Sequence, residues 1–192
     1  MLKLISRTYE TPDLNPLKRI IIVGNCSSGK TRLAINISEI LNIAHFELDN
    51  FRWKPNWQKA PIEEYKEKSI KAASLESWVM DGNCDGIKEQ IFTRATTMIW
   101  LNYTLYYVFF RALKRTIKRV ITKERFFANN YETFKHAFLC SESVLLQILQ
   151  KHSKRRKEYS NIKNLYPNLI MIELKSHRES ILFLNNLRSH LK

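Results

Sequence analysis

Arg19-Ile20-Ile21-Ile22-Val23-Gly24-Asn25-Cys26-Ser27-Ser28-Gly29-Lys30-Thr31 joins a β-branched run to a loop that fits G-x-x-x-x-G-K-[ST] at every fixed position. Each fixed position answers to a demand of holding a nucleoside triphosphate. The glycines let the backbone curl so that several N–H groups face one phosphate. Lys30 supplies a cation to the β- and γ-phosphates, and the Thr31 hydroxyl can sit on Mg²⁺. The chain has only four glycines, and this loop uses two of them. Arg19 to Val23 reads as a central parallel strand buried on both faces. Beyond the loop, Leu33, Ile37, Ile40 and Leu41 recur at helical spacing. Strand, loop and helix therefore follow in the order that aims a helix N-terminus at an anion.

Composition sets the bounds around this motif. A chain of 192 residues, 44% hydrophobic and 26% charged, reads as one domain with a real core. No apolar run approaches the ~20 residues of a membrane span, and the first residues lack the continuous apolar stretch of a secretory signal. Cys26, Cys84 and Cys140 are widely spaced, without a metal-ligand pattern, and suit reduced thiols in a cytoplasm. The five histidines, His45, His136, His152, His177 and His190, show no metal spacing, and no site role is assigned to them. The net charge of +14 is concentrated. Seven basic residues lie between Arg111 and Arg125, and five between Lys151 and Lys157. Such blocks suit either a nucleic-acid surface or a site that holds several phosphates.

Strand and helix patterns alternate along the rest of the chain. Residues 1–18, with Pro12 and Pro16, read as an N-terminal arm, and residues 19–192 as a single domain. Strands are expected at Ala44 to Leu48, Trp78 to Met80, Thr96 to Leu101 and Leu169 to Leu174. A helix starts near Pro61, with Glu63 and Glu64 in its first turn. Long helices are expected from Thr104 to Ile121 and from Tyr131 to about Tyr159, separated by a break at Phe126 to Asn130. Ser176 and Glu179 form a capping box for a terminal helix. This alternation predicts an α/β fold, a parallel sheet with helices on both faces.

Ligands of such a sheet gather at the C-terminal ends of the strands. The first strand ends in the phosphate loop, the second in Asp49 and the third in Asp81-Gly82-Asn83. Asp81 suits a Mg²⁺ role beside Thr31. Asp49 suits accepting a proton from a hydroxyl nucleophile or gripping a substrate hydroxyl. Arg111, Arg115 and Arg119 recur every four residues and project from one side of a helix, with Leu113, Ile117 and Val120 on a packing side. Guanidinium groups suit phosphate oxygens. Arg155 and Arg156 are weaker candidates for the same task, and Trp53 and Trp57 suit either stacking on a ring or packing.

Taken together, Gly24 to Thr31, Leu48-Asp49, Trp53-Lys54-Pro55-Asn56-Trp57, Trp78-Val79-Met80-Asp81-Gly82-Asn83, Ile99-Trp100-Leu101 and the helix from Arg111 to Arg119 resemble the adenylate-kinase-related P-loop NTPases called DNA topology modulation (FlaR-related) proteins. The resemblance runs from about Arg19 to the C-terminus. It implies a three-layer P-loop NTPase fold with a five-stranded parallel sheet in the order 2-3-1-4-5 and a helical lid at about 115–160. It also implies ATP and Mg²⁺ binding and phosphoryl transfer to a small acceptor. By the same resemblance, Asp81 is similar to the Asp of the Asp-Gly element of adenylate kinases, and Arg111, Arg115 and Arg119 to lid-side arginines. Many relatives carry Leu-Asp-x-Pro on the fourth strand, where this chain has Leu101-Asn102-Tyr103-Thr104.

The expected function is a cytoplasmic, ATP-dependent small-molecule kinase, monomeric or homodimeric, without membrane association. Gly24, Asn25, Cys26, Ser27, Ser28, Gly29, Lys30 and Thr31 would hold the nucleotide, and Thr31 and Asp81 the metal. Lys30, Asp49, Arg111, Arg115 and Arg119 would act on the transferred group. The acceptor side leans toward a nucleoside or similar polyol through Asp49, while Arg52 and Lys54 keep a nucleoside monophosphate open. The alternative is a nucleic-acid-binding or regulatory P-loop ATPase, suggested by the charge.

Overall fold

Ile20, Ile21, Ile22 and Val23 are all fully buried, because the strand they form lies at the centre of a sheet covered on both faces. The computed structural model describes residues 17–131, 133 and 143–190. The expected arm falls outside these residues apart from Leu17, which is buried, and Lys18. His136 and Cys140 also lie outside them.

Five strands, β1 (Arg19–Gly24), β2 (Ala44–Glu47), β3 (Trp78–Asp81), β4 (Thr97–Leu101) and β7 (Ile170–Leu174), pair in parallel in the order β2-β3-β1-β4-β7. Counted over this sheet alone, that is the expected 2-3-1-4-5. Strand alternation divides the core into two layers. Ile20 and Ile22 face α1 (Lys30–Leu41), α5 (Leu105–Thr122) and α7 (His177–Ser189), with Leu33, Ile37, Val108 and Phe183. Ile21 and Val23 face α3 (Ile62–Ala73), α4 (Lys88–Phe92) and α6 (Val144–Leu165), with Tyr65, Ile91, Tyr159 and Ile162. Among the described residues no helix is long and apolar enough to cross a membrane.

Several local expectations hold. Pro61 precedes α3, and Thr104 caps α5 by accepting from the Tyr107 amide. Ser176 caps α7 by accepting from the Glu179 amide at 3.2 Å, while Glu179 reaches back to the Lys175 amide at 2.8 Å.

Three expectations need correction. Asp49 does not end a strand: β2 stops at Glu47, and Asp49 lies in the one-turn helix α2 (Leu48–Arg52). Tyr131 does not open a long helix. It pairs in a small antiparallel hairpin, β5 (Arg125–Phe126) with β6 (Asn130–Tyr131), and α6 runs on to Leu165. The lower part of that expected helix, 132 and 134–142, lies outside the described residues. Finally, Ile117 is exposed, and the buried stripe of α5 is Val108, Ala112 and Thr116. Ala112 and Thr116 of this stripe stand one position after Arg111 and Arg115. The arginines therefore flank the packed face, and all three are half-buried.

Candidate active site

The phosphate loop leaves β1 through Gly24 and enters α1 at Lys30. Gly29 has φ +97°, a conformation that a side chain would strain. Its open face is occupied: the Arg111 guanidinium lies 3.5 Å from where a Cβ would stand. Arg111 is thus the one member of the arginine trio seen lying on the loop. Its guanidinium accompanies the Tyr107 ring, 5.6 Å from centroid to Cζ, and donates to the Tyr107 hydroxyl at 3.2 Å. Arg115 and Arg119 follow on the same side of α5. The buried Nε of Arg115 has no hydrogen-bond partner.

Within the loop, Lys30 is buried and donates to the carbonyls of Gly24 and Asn25, at 3.1 Å each. An ammonium has three donors, so one remains for a ligand. The hydroxyls of Ser27 and Ser28 are buried without hydrogen-bond partners. Unpaired buried hydroxyls are costly, and an anion with acceptor oxygens satisfies both.

Below the loop, Thr31 Oγ1 donates to Asp81 Oδ2 at 2.8 Å and lies 3.0 Å from Glu47 Oε1. Asp81 is buried, and its other oxygen meets His45 Nε2 at 2.7 Å. The register explains the convergence: Glu47 pairs with Asp81 across β2 and β3, and period-two alternation puts His45 on the same side as Glu47. Burial raises the Glu47 carboxyl above its ordinary range. The Asp81 charge adds to that rise, and the Thr31 hydrogen bond opposes it. Two carboxylates crowded around a hydroxyl form a hard oxygen set that fits Mg²⁺. Among the described residues no cluster of three His, Cys, Asp or Glu side chains is placed to hold a metal by itself.

Asp49 lies in α2, directly after β2. It is half-buried by surface, yet its carboxyl lies deep enough that burial raises its pKa. The Lys30 and Arg155 cations pull the pKa back, while Asp81 and Asp85 push it up. Arg155 and Tyr159 are one helical turn apart on α6 and reach the same point. The Asn83 amide nitrogen donates to the Gly24 carbonyl at 2.8 Å and meets the Tyr159 hydroxyl at 2.9 Å. Its oxygen accepts from both terminal nitrogens of Arg155, at 3.0 Å each. The reverse orientation would aim the amide N–H groups at guanidinium donors. Only 12% of the Arg155 side chain is exposed, and its acidic neighbour Asp85 is 3.8 Å away. Arg156 is exposed on the next position of the helix.

Beside the loop lies a cavity of about 470 Å³ between α1, α5 and α7, lined among others by Ser28, Gly29, Arg32, Tyr107, Arg111 and His177. Burial holds the His177 pKa below the usual range, with Arg111 and Arg32 adding to the effect, so this wall disfavours the imidazolium form.

Other candidates are engaged elsewhere. Lys54 pairs with Glu64 at 2.6 Å, and Arg52 lies over the Tyr65 ring at 5.1 Å. Trp53 and Trp57 meet edge to face, with centroids 5.5 Å apart. Asn102 links strands by donating to Glu173 Oε1 at 2.5 Å and to the Leu174 carbonyl at 2.9 Å. Sequence reasoning missed Glu47, His45, Asn83 and Tyr159. Alternation groups positions 45 and 47 on one side of β2, and helical spacing groups Arg155 with Tyr159, but only the fold brings these groups to Asp81 and Asn83.

The sequence matches no protein-family profile and no curated protein. Its fold is similar to that of solved kinases. Shikimate kinase from Bacteroides thetaiotaomicron superposes with a TM-score of 0.53 at 18% identity, covering 91% of this chain and 98% of that one. Shikimate kinase from Acinetobacter baumannii, solved with shikimate, gives 0.52 at 13% identity, covering 93% and 95%. A gluconokinase from Sinorhizobium meliloti 1021 gives 0.50 at 15% identity, covering 91% and 95%. At such identities the likeness establishes the fold: a three-layer α/β architecture built on a five-stranded parallel sheet, shared with P-loop kinases.

Proposed function

We propose that this chain is a P-loop phosphotransferase that moves the γ-phosphoryl group of ATP to a hydroxyl of a small acceptor bearing an acidic group. The observation that carries the reading is Asp49, a half-buried carboxylate on the helix that follows β2, within electrostatic reach of both Lys30 and Arg155. The acceptor oxygen bonds to the γ-phosphorus as the bond to the departing ADP oxygen breaks, and Asp49 takes the hydroxyl proton. The raised pKa of Asp49 strengthens it as a base. Lys30, the loop amides and Arg111 stabilise charge on the transferred group. Thr31, Asp81 and Glu47 would hold Mg²⁺, which would supply further neutralisation of phosphate charge. The adenine and ribose would occupy the cavity beside Arg111 and His177. Arg155, oriented by Asn83, would pair with the acidic group of the acceptor.

The solved kinases of similar fold act on shikimate or gluconate by their names, and both molecules carry hydroxyls and a carboxylate. A nucleoside monophosphate fits less well, because Lys54 and Arg52 are already engaged. The likeness to DNA topology modulation proteins belongs with this reading, on its Leu-Asp, Trp-x-Pro-x-Trp and Asp-Gly-Asn elements. Reduced cysteines suit action in the cytoplasm.

An acceptor screen with γ-labelled ATP and Mg²⁺ tests the proposal. Hydroxy acids should be labelled in preference to neutral polyols and nucleoside monophosphates. Lys30→Ala should lower transfer at least about 100-fold while keeping the fold. Turnover retained in that variant would sink the mechanism, and preferential labelling of monophosphates would remove the base role of Asp49.

A further inference from the structure

The Trp-Lys-Pro-Asn-Trp turn has no task in the chemistry above, yet it is held with unusual care. It leaves α2 directly, since the Trp53 amide donates to the Asp49 carbonyl at 3.1 Å. It then doubles back, with Lys54 N donating to the Gln58 carbonyl at 2.8 Å and Ala60 N to the Arg52 carbonyl at 2.9 Å. Its tip meets the β5–β6 hairpin, more than seventy residues away in sequence. Asn130 stands at the junction. Its Oδ1 accepts from the Trp57 amide at 3.0 Å, and its Nδ2 donates to the Lys54 carbonyl at 3.0 Å and to the Phe127 carbonyl at 2.7 Å. Trp57 Nε1 donates to the Tyr131 carbonyl at 3.2 Å. In a small surface hairpin Asn130 is nonetheless only 5% exposed.

Backbone strain accumulates on both sides of this contact. Asn56 and Trp57 have φ of 59° and 56°, and Ala128 and Asn129 have 52° and 64°. Asparagine tolerates this region, but tryptophan and alanine rarely enter it. Such strain persists where surroundings over-determine it, and it clusters at switch segments. The contact also closes a ring of chain that includes Asp49 and Arg111. From Arg111 on the loop the ring follows α5 to the hairpin, crosses the Asn130 hydrogen bonds to the turn, and returns along α2 to Asp49.

We infer that Asn130 is a positioning residue, a latch that fastens the hairpin to the Trp53–Trp57 turn and must open for acceptor exchange while shielding the γ-phosphate from water. The inference rests on the kinase reading above for its function and on the hydrogen bonds alone for its existence. An opened latch admits water, whose oxygen attacks the γ-phosphorus to give ADP and inorganic phosphate.

The test compares the full-length wild type with Asn130→Ala and Asn130→Asp. Amide hydrogen exchange reads the Trp57 N–H, and hydrolysis of Mg²⁺·ATP without acceptor reads shielding. Asn130→Ala should speed Trp57 exchange at least tenfold and hydrolysis at least fivefold, with affinity for an ATP analogue within twofold and β1 amides unchanged. Asn130→Asp keeps the oxygen that accepts from Trp57 but turns a second acceptor onto the Lys54 and Phe127 carbonyls, so it should also speed Trp57 exchange. If Asn130→Ala fails to fold, Trp57→Phe removes the indole donation to Tyr131 and shrinks the ring that meets Trp53, and should move both readouts in the same direction. Unchanged Trp57 exchange overturns the latch, and faster exchange with wild-type hydrolysis overturns its shielding role. A wild type that binds no ATP analogue fails the kinase reading instead, and the amide still decides whether the latch exists.

Discussion

Asp49 is held in tension, and that tension predicts opposite effects on stability and on chemistry. Burial is the largest influence on its carboxyl and raises the pKa above the ordinary 3.8, with Asp81 and Asp85 adding to it and Lys30 and Arg155 opposing. A folded pKa above the unfolded one means that folding disfavours the ionised form. The native state therefore loses stability as pH rises from the unfolded pKa through the folded one, and is spared the cost only below the unfolded value. Asp49→Asn removes the charge without changing the shape. In thermal melts of the unliganded protein at pH 8, it should raise Tm by a few degrees, since about 1 kcal/mol corresponds to about 2–4 °C at this size. The advantage should vanish in acid, where the wild-type carboxyl is protonated. The same variant should lose about 100-fold or more in phosphoryl transfer, because the base is gone. A Tm that falls at pH 8 would mean that the attraction to Lys30 and Arg155 outweighs burial.

At the scale of elements, the site depends on how closely α2 meets the end of β3. Gly82 follows Asp81 with φ +145°, and a Cβ there would stand 2.9 Å from the Leu48 Cβ. Leu48 is buried and cannot retreat easily. Gly82→Ala should therefore cost about 2–4 kcal/mol, combining backbone strain with overpacking, measured by urea unfolding. It should also weaken Mg²⁺-dependent nucleotide binding, because it moves Asp81 and Asp49 apart. Wild-type stability in this variant would mean that the junction is slack.

This junction also marks where the sequence stops being legible. β1, the loop and α1 could be read because a buried β-branched run, two glycines and a 3.6-residue period each point to one local structure. Asp81 follows, since strand ends in a parallel sheet share an edge, whereas Asp49 looks like a strand end in sequence and lies in α2. Glu47 and His45 do not follow, because their meaning depends on the register of β2 against β3, a long-range pairing. Asn83, Arg155 and Tyr159 come from segments more than seventy residues apart, and only the packed fold brings them together. The β5–β6 hairpin was read as a mere break because two-residue strands carry no periodicity.

For the whole molecule, the charge of +14 invites a nucleic-acid role, and the distribution of that charge decides what to expect. The cations nearest the loop are spent on the cleft: Lys30 is buried, Arg111 lies on Gly29, and Arg155 is held by Asn83. Lys114, Lys118, Lys123 and Arg125 are exposed on α5 and just beyond it, and Lys151, Lys154, Arg156 and Lys157 are exposed on α6. Scattered exposed cations bind polyanions weakly, and salt erodes that binding steeply as released counterions lose their entropic advantage. A triphosphate in the loop gains from buried donors that salt screens far less. At 0.15 M salt, an ATP analogue with Mg²⁺ at about 100 times its Kd should stabilise the fold by about 2.7 kcal/mol. That corresponds to about 5–10 °C in Tm, and Lys30→Ala should abolish the shift. Duplex DNA at matched phosphate concentration should give little shift at this ionic strength. A DNA-induced stabilisation that survives 0.15 M salt and also survives Lys30→Ala would move the centre of function from the cleft to the outer faces of α5 and α6. A shift confined to the nucleotide leaves the exposed basic residues to raise the encounter rate with anionic substrates, through the long-range field they cast over the site.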